Sequence, residues 1–62
     1  MEKIKKRRYD LAGKIIYRES SDCSTWELTK YDEFHGWYEA KNLDDDSETV
    51  FTPSDLIDDY VR

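Results

Sequence analysis

The supply of core-forming side chains is the tightest constraint on this chain. Leu, Ile, Val and Phe together number only twelve among 62 residues, while 40% of the chain is charged and the net charge is −5. So little aliphatic content at that net charge borders on the composition of disordered chains. Nine aromatic side chains offset the shortage: Tyr9, Tyr17, Trp26, Tyr31, Phe34, Trp37, Tyr38, Phe51 and Tyr60. A buried ring removes roughly 150–250 Å² from water. The expectation is one small folded domain whose core claims nearly every aromatic. A second lobe or a deep cofactor cleft does not fit in this length.

Several function classes fall away on composition. The longest apolar run is Ile15-Ile16-Tyr17, far short of the roughly 18–20 residues of a membrane span, so no membrane partner is expected. Met1–Arg8 carries positive charge with no apolar segment behind it, unlike a secretory signal. Cys23 is the only cysteine and His35 the only histidine. That leaves no intramolecular disulfide, no thiolate or zinc ligand set, and no ordered pocket for a Cys/His nucleophile pair. A cytoplasmic, non-enzymatic protein with no cofactor and no metal is expected.

The charge is divided along the chain. Residues 1–18 hold seven cations against Glu2 and Asp10, a net of +5, and residues 19–62 hold Lys30, Lys41 and Arg62 against thirteen acids, a net of −10. Two opposite electrostatic regions are hidden in the total.

Residues 1–8 form either a frayed basic arm or the approach to a first strand, followed by one domain over 9–62. From Tyr9 the period is two: Tyr9, Leu11, Gly13, Ile15 and Tyr17 share one face, with Asp10, Ala12, Lys14, Ile16 and Arg18 opposite. Gly13 marks a bulge or bend. Glu19–Ser24 is a polar turn. Thr25–Tyr31, with Trp26 and Leu28 on one face, is a second strand. Asp32–Gly36 is a loop closed by glycine. Trp37–Leu43 is a third strand with Tyr38 and Ala40 inward, Asp44–Ser47 a hairpin turn and Glu48–Phe51 a fourth strand.

The period changes near the end. Thr52 suits an N-cap, Pro53 the first helical position and Asp55 the reciprocal cap. Leu56, Ile57, Tyr60 and Val61 then form an apolar stripe on one or two turns, with Asp58 and Asp59 on the outer face. Alternatively, Tyr60-Val61-Arg62 forms a last short strand against the first.

This layout of short antiparallel strands, one helical turn and a terminal strand resembles the small SH3-like barrel of SH3, Tudor and KOW-type domains. The resemblance spans residues 9–62 and implies a mainly β fold: an antiparallel barrel of four to five strands with a short C-terminal helical turn. The acidic-aromatic segment of peptide-binding SH3 domains and the KOW glycine motif are both missing, so no site residue carries over. The alternative is a three- or four-stranded sheet with the C-terminal helix on one face.

Candidate sites follow from what the core leaves over. Trp26 is the expected core anchor and Trp37 the exposed contact. With Asp32, Glu33, Phe34, His35 and Glu39, Trp37 makes an aromatic-acidic surface of the kind found in protein-binding hot spots. A methyl-lysine cage is the alternative use of these rings. Lys3, Lys5, Lys6, Arg7, Arg8 and Lys14 suit phosphate contacts and form the alternative, nucleic-acid-binding site, against the field of the −10 remainder. The thirteen acids of residues 19–62 also invite a nucleic-acid-mimic reading. Asp44, Asp45, Asp46 and Glu48 resemble a cation loop, but an EF-hand needs glycine at its sixth position and Glu at its twelfth, where this chain has Thr49 and Asp55. They are taken as a solvated turn, Cys23 as an incidental thiol and His35 as a loop residue. The expected function is binding of a protein partner, by analogy with small phage or mobile-element regulators and inhibitors that act on host proteins. A homo-oligomer that completes its core across an interface is the third reading.

Overall fold

A computed structural model describes residues 1–19 and 23–62. It is mainly β: six strands, β1 (Glu2–Lys3), β2 (Ile15–Arg18), β3 (Ser24–Asp32), β4 (Trp37–Asn42), β5 (Glu48–Phe51) and β6 (Tyr60–Val61), make one antiparallel sheet in the order β1-β6-β2-β3-β4-β5. The helical content of the described residues is one 3-10 turn, Pro53–Leu56. β1 and β5 end the order, and among the described residues no pairing between them joins the sheet into a ring.

Of the two alternatives for the N-terminal segment, residues 2–4 take the strand rather than the frayed arm. Glu2 and Lys3 pair with Val61 and Tyr60. Ile4 continues the ladder, donating its N–H to the Asp59 carbonyl at 2.8 Å and accepting from the Asp58 N–H at 2.8 Å. Its side chain is fully buried in the core. One buried aliphatic residue among five cations fixes the segment in place.

Residues 9–18 do not keep one period throughout. Leu11 and Ile16 are both buried, whereas Ile15 and Tyr17 are only half-buried. The parity changes because a turn intervenes: Lys14 N–H bonds the Leu11 carbonyl at 3.0 Å, and Gly13 adopts φ +84°, a conformation that glycine enters without a Cβ clash. The strand therefore starts only at Ile15. The expected turn over Glu19–Ser24 falls largely on residues 20–22, outside the described residues.

A second parity change lies in β3. Leu28 pairs with Ala40 but Lys30 pairs with Glu39, so Thr29 is the extra residue of a bulge, its hydroxyl donating to the Glu39 carbonyl at 3.2 Å. The bulge lets Leu28 and Tyr31 face the same side although they are three apart. The third and fourth strands lie where the pattern puts them, with Tyr38 and Ala40 buried.

The core is Ile4, Leu11, Ile16, Leu28, Tyr38, Ala40, Phe51, Leu56 and Val61, with Trp26 and Tyr31 packed against it. Only two of the nine aromatics are buried, which corrects the expectation that nearly all of them would be. The turn at Gly13 and the β1 ladder bring in Ile4, Leu11 and Ile16, and these aliphatics fill the space assigned to rings. Tyr38 holds the 8–11 segment down. Its hydroxyl donates to the Arg8 carbonyl at 2.8 Å and accepts from the Leu11 N–H at 3.2 Å.

The Thr52 capping box forms as expected: Thr52 Oγ1 accepts from the Asp55 N–H at 3.3 Å and Asp55 Oδ2 accepts from the Thr52 N–H at 3.0 Å. The turn then stops after Leu56, and Asp58 takes φ +78°. Tyr60 and Val61 instead pair with Tyr17 and Ile16 of β2, the alternative strand ending. This reversal carries Asp59 inward, not to the outer face. Its side chain is 1% exposed, with Oδ2 2.9 Å from Arg18 Nε but without a directed hydrogen bond between them. Arg18 also covers the Phe51 ring, 4.6 Å from its centroid, and donates to the Asp55 carbonyl at 3.1 Å. Burial pushes the Asp59 carboxyl above its ordinary range, and the Arg18 charge holds it back.

Candidate functional site

The turn between β3 and β4 is built around Asp32. Its Oδ1 accepts from the N–H groups of Phe34 at 3.0 Å and His35 at 3.1 Å, and its backbone carbonyl accepts from the Gly36 N–H at 2.7 Å. A short acidic side chain that caps the next two or three amides is what makes Asp a turn former. Gly36 closes the turn at φ +75°. Asp32 Oδ2 also sits 2.8 Å from His35 Nδ1. The bond to His35, supported by the backbone N–H groups, holds the Asp32 carboxyl below its ordinary range.

That bond orients the imidazole, and the imidazole orients the neighbouring rings. His35 lies flat on Trp37, with centroids 4.4 Å apart and planes within 4°. Phe34 meets His35 edge to face at 5.0 Å and is 90% exposed. The tip is thus an ordered ladder of three rings ending in a bare phenyl group. Ordering these side chains in advance lowers the entropy lost when a partner binds them.

The structure places the six residues of the aromatic-acidic surface on one hairpin. Asp32, Phe34, His35 and Trp37 are in contact, Glu33 is exposed in the same turn, and Glu39 is exposed two residues along β4 from Trp37. Trp37 is half-buried rather than exposed, because His35 covers part of its ring. Sequence reasoning missed the organising role of Asp32 and His35. The signal was present as Asp followed at two and three positions by the residues whose amides it caps. Trp26 is half-buried against the core and donates its indole N–H to Ser24 Oγ at 2.6 Å.

The basic residues are dispersed in role. Arg8 is spent on structure: Nε and Nη2 each lie 2.9 Å from an Asp10 oxygen, and Nη1 lies 3.3 Å from Glu2. Those carboxylates raise the guanidinium's pKa further above its already high value, and the Arg8 guanidinium in turn holds the Asp10 carboxyl below its ordinary range. Lys3 stands 3.8 Å from Asp58. Lys5, Lys6, Arg7 and Lys14 are exposed, with no ion pair among the described residues. Lys14 shares a shallow depression with Arg8 and Arg62.

The acids are not one continuous face. Asp59 is buried, Asp55 completes the capping box, and Asp45 accepts from the Ser47 N–H at 2.9 Å; the Ser47 hydroxyl and then its N–H hold the Asp45 carboxyl below its ordinary range. Asn42 Oδ1 accepts from the N–H groups of Asp44 and Asp45 at 2.7 and 3.2 Å. These contacts make 42–47 a built hairpin turn. No helix of the described residues is long and apolar enough to cross a membrane. No protein family, curated protein or solved structure matches the chain.

Proposed function

We propose that this protein is a non-catalytic binding module that engages a protein partner through the β3–β4 tip, in the manner of small cytoplasmic regulators and inhibitors. The observation that carries the reading is the Phe34–His35–Trp37 ladder, anchored by Asp32 and ending in a phenyl ring that is 90% exposed. An isolated exposed Leu or Val needs no explanation, but an ordered aromatic stack at a hairpin tip has the make-up of an interface anchor. An exposed thiol at Cys23 fits a reducing compartment. The alternative, nucleic-acid binding by the basic segment, is weaker because Arg8 is committed to Asp10 and Glu2 and Lys3 stands beside Asp58.

The test is quantitative capture from the native host with the parent chain and Phe34→Ser. Phe34 touches only the tip, so the variant keeps its circular dichroism spectrum and loses the captured protein. Equal capture by both chains refutes the reading.

A further inference from the structure

We infer that the partner presents a short basic segment, which docks in the shallow trough running from the tip across the outer face of β4 and β5. This rests on the reading of the tip as the contact surface and names the chemistry of what lies beside it. Trp37, Glu39, Lys41, Glu48 and Val50 line the trough. The sheet register sets them side by side, with Glu39 opposite Val50 and Lys41 opposite Glu48. All five alternate with the inward-facing Tyr38, Ala40 and Phe51, so they share the outer face.

The trough's charges are unevenly used. Lys41 Nζ is drawn to Asp46 at 3.7 Å. Asp32, at the head of the trough, is occupied by His35 and two backbone N–H groups. Glu39 and Glu48 have no ion pair among the described residues, and both are exposed, as is Lys30, which lies directly opposite Glu39 on β3. Two carboxylates beside an indole and an isopropyl group complement one kind of side chain best: a cation on a long apolar stem. An Arg or Lys can lay its stem along Val50, present its charge to Trp37 and bond Glu39 or Glu48. An anionic partner meets the same two carboxylates as repulsion.

The experiment titrates the full ¹⁵N-labelled chain with a synthetic peptide of alternating Arg and Ser, and with the same peptide carrying citrulline for Arg, neutral but nearly isosteric. The Arg peptide is expected to shift the Trp37 indole and the Glu39, Glu48 and Val50 amides saturably, and the citrulline peptide to bind about tenfold more weakly or not at all. Glu39→Gln combined with Glu48→Gln is expected to weaken the Arg peptide about three- to tenfold while leaving the remaining amide shifts of the free chain in place. Three results overturn the inference: no saturable shifts, equal binding of the two peptides, or shifts confined to residues 3–8. Trough shifts that appear on raising the concentration of the chain alone, together with shifts at Lys5–Arg7, also overturn it by assigning the trough to a second copy. Its failure is separable from failure of the tip reading. If Phe34→Ser abolishes partner capture and the double Gln variant leaves capture unchanged, the tip stands and the trough falls.

Discussion

Ile4→Ala separates a segment that belongs to the domain from one that trails it. Ile4 is fully buried and both of its backbone groups are bonded to the 58–59 segment. Truncating such a side chain to Ala costs about 2–5 kcal/mol, as lost transfer energy plus the cavity left behind. A domain of this size holds on the order of 3–9 kcal/mol in total. The variant is therefore expected to lose about a fifth or more of its stability, seen as a fall of at least about 8 °C in Tm at 4–8 °C per kcal/mol. The control is Lys5→Ser with Lys6→Ser and Arg7→Ser, three exposed positions where each change is expected to stay within about 0.5 kcal/mol. Thermal unfolding followed by circular dichroism reads both. If Ile4→Ala melts within about 1 °C of the parent, β1 adds nothing to the fold and the basic segment is a free arm after all.

Three further outcomes follow from buried or ordered polar groups. Tyr38→Phe removes one hydroxyl but strands both the Arg8 carbonyl and the Leu11 N–H, so urea unfolding should show a loss of about 1–3 kcal/mol and Leu11 should exchange its amide faster; unchanged protection at Leu11 would count against it. Asp59 has a folded-state pKa raised above its ordinary 3.8, so it favours the folded state as pH falls toward 3.8 and opposes it above the raised value. Asp10, Asp32 and Asp45 are depressed and lose their contributions only below that range. Tm measured from pH 7 to pH 4 should therefore rise more on acidification in the parent than in Asp59→Asn, and identical slopes would refute the assignment. Asp32→Ala is expected to leave Tm within about 4 °C, since the tip is solvated, while abolishing slow exchange at the Phe34 and His35 amides.

What could be read from the residues was whatever depends on local pattern. Alternation placed Tyr38 and Ala40 inward, turn residues bounded β4 and β5, and Thr52-Pro53-Ser54-Asp55 spelled out its own capping box. The readings of parity that failed share a cause. A single extra residue, Thr29 in β3 or the turn at Gly13, flips every later side chain to the other face, and periodicity cannot see it without the partner strand. The burial of Ile4 and Asp59 has a long-range cause instead: it is decided by the pairing of β1 with β6, residues nearly sixty positions apart in the chain. At the site, Asp32, Phe34, His35 and Trp37 were named together from composition, but the ladder that orders them depends on Asp32 reaching back to its own turn.

The contact role of the β3–β4 tip is measured by placing a photo-crosslinking phenylalanine at position 34 and, in a second chain, at position 6, each irradiated in extract of the native host. One protein is expected to be crosslinked from position 34, excess unlabelled parent chain to compete it away, and position 6 not to capture it. Crosslinking of nucleic acid from position 6 with nothing captured at position 34 would contradict that role.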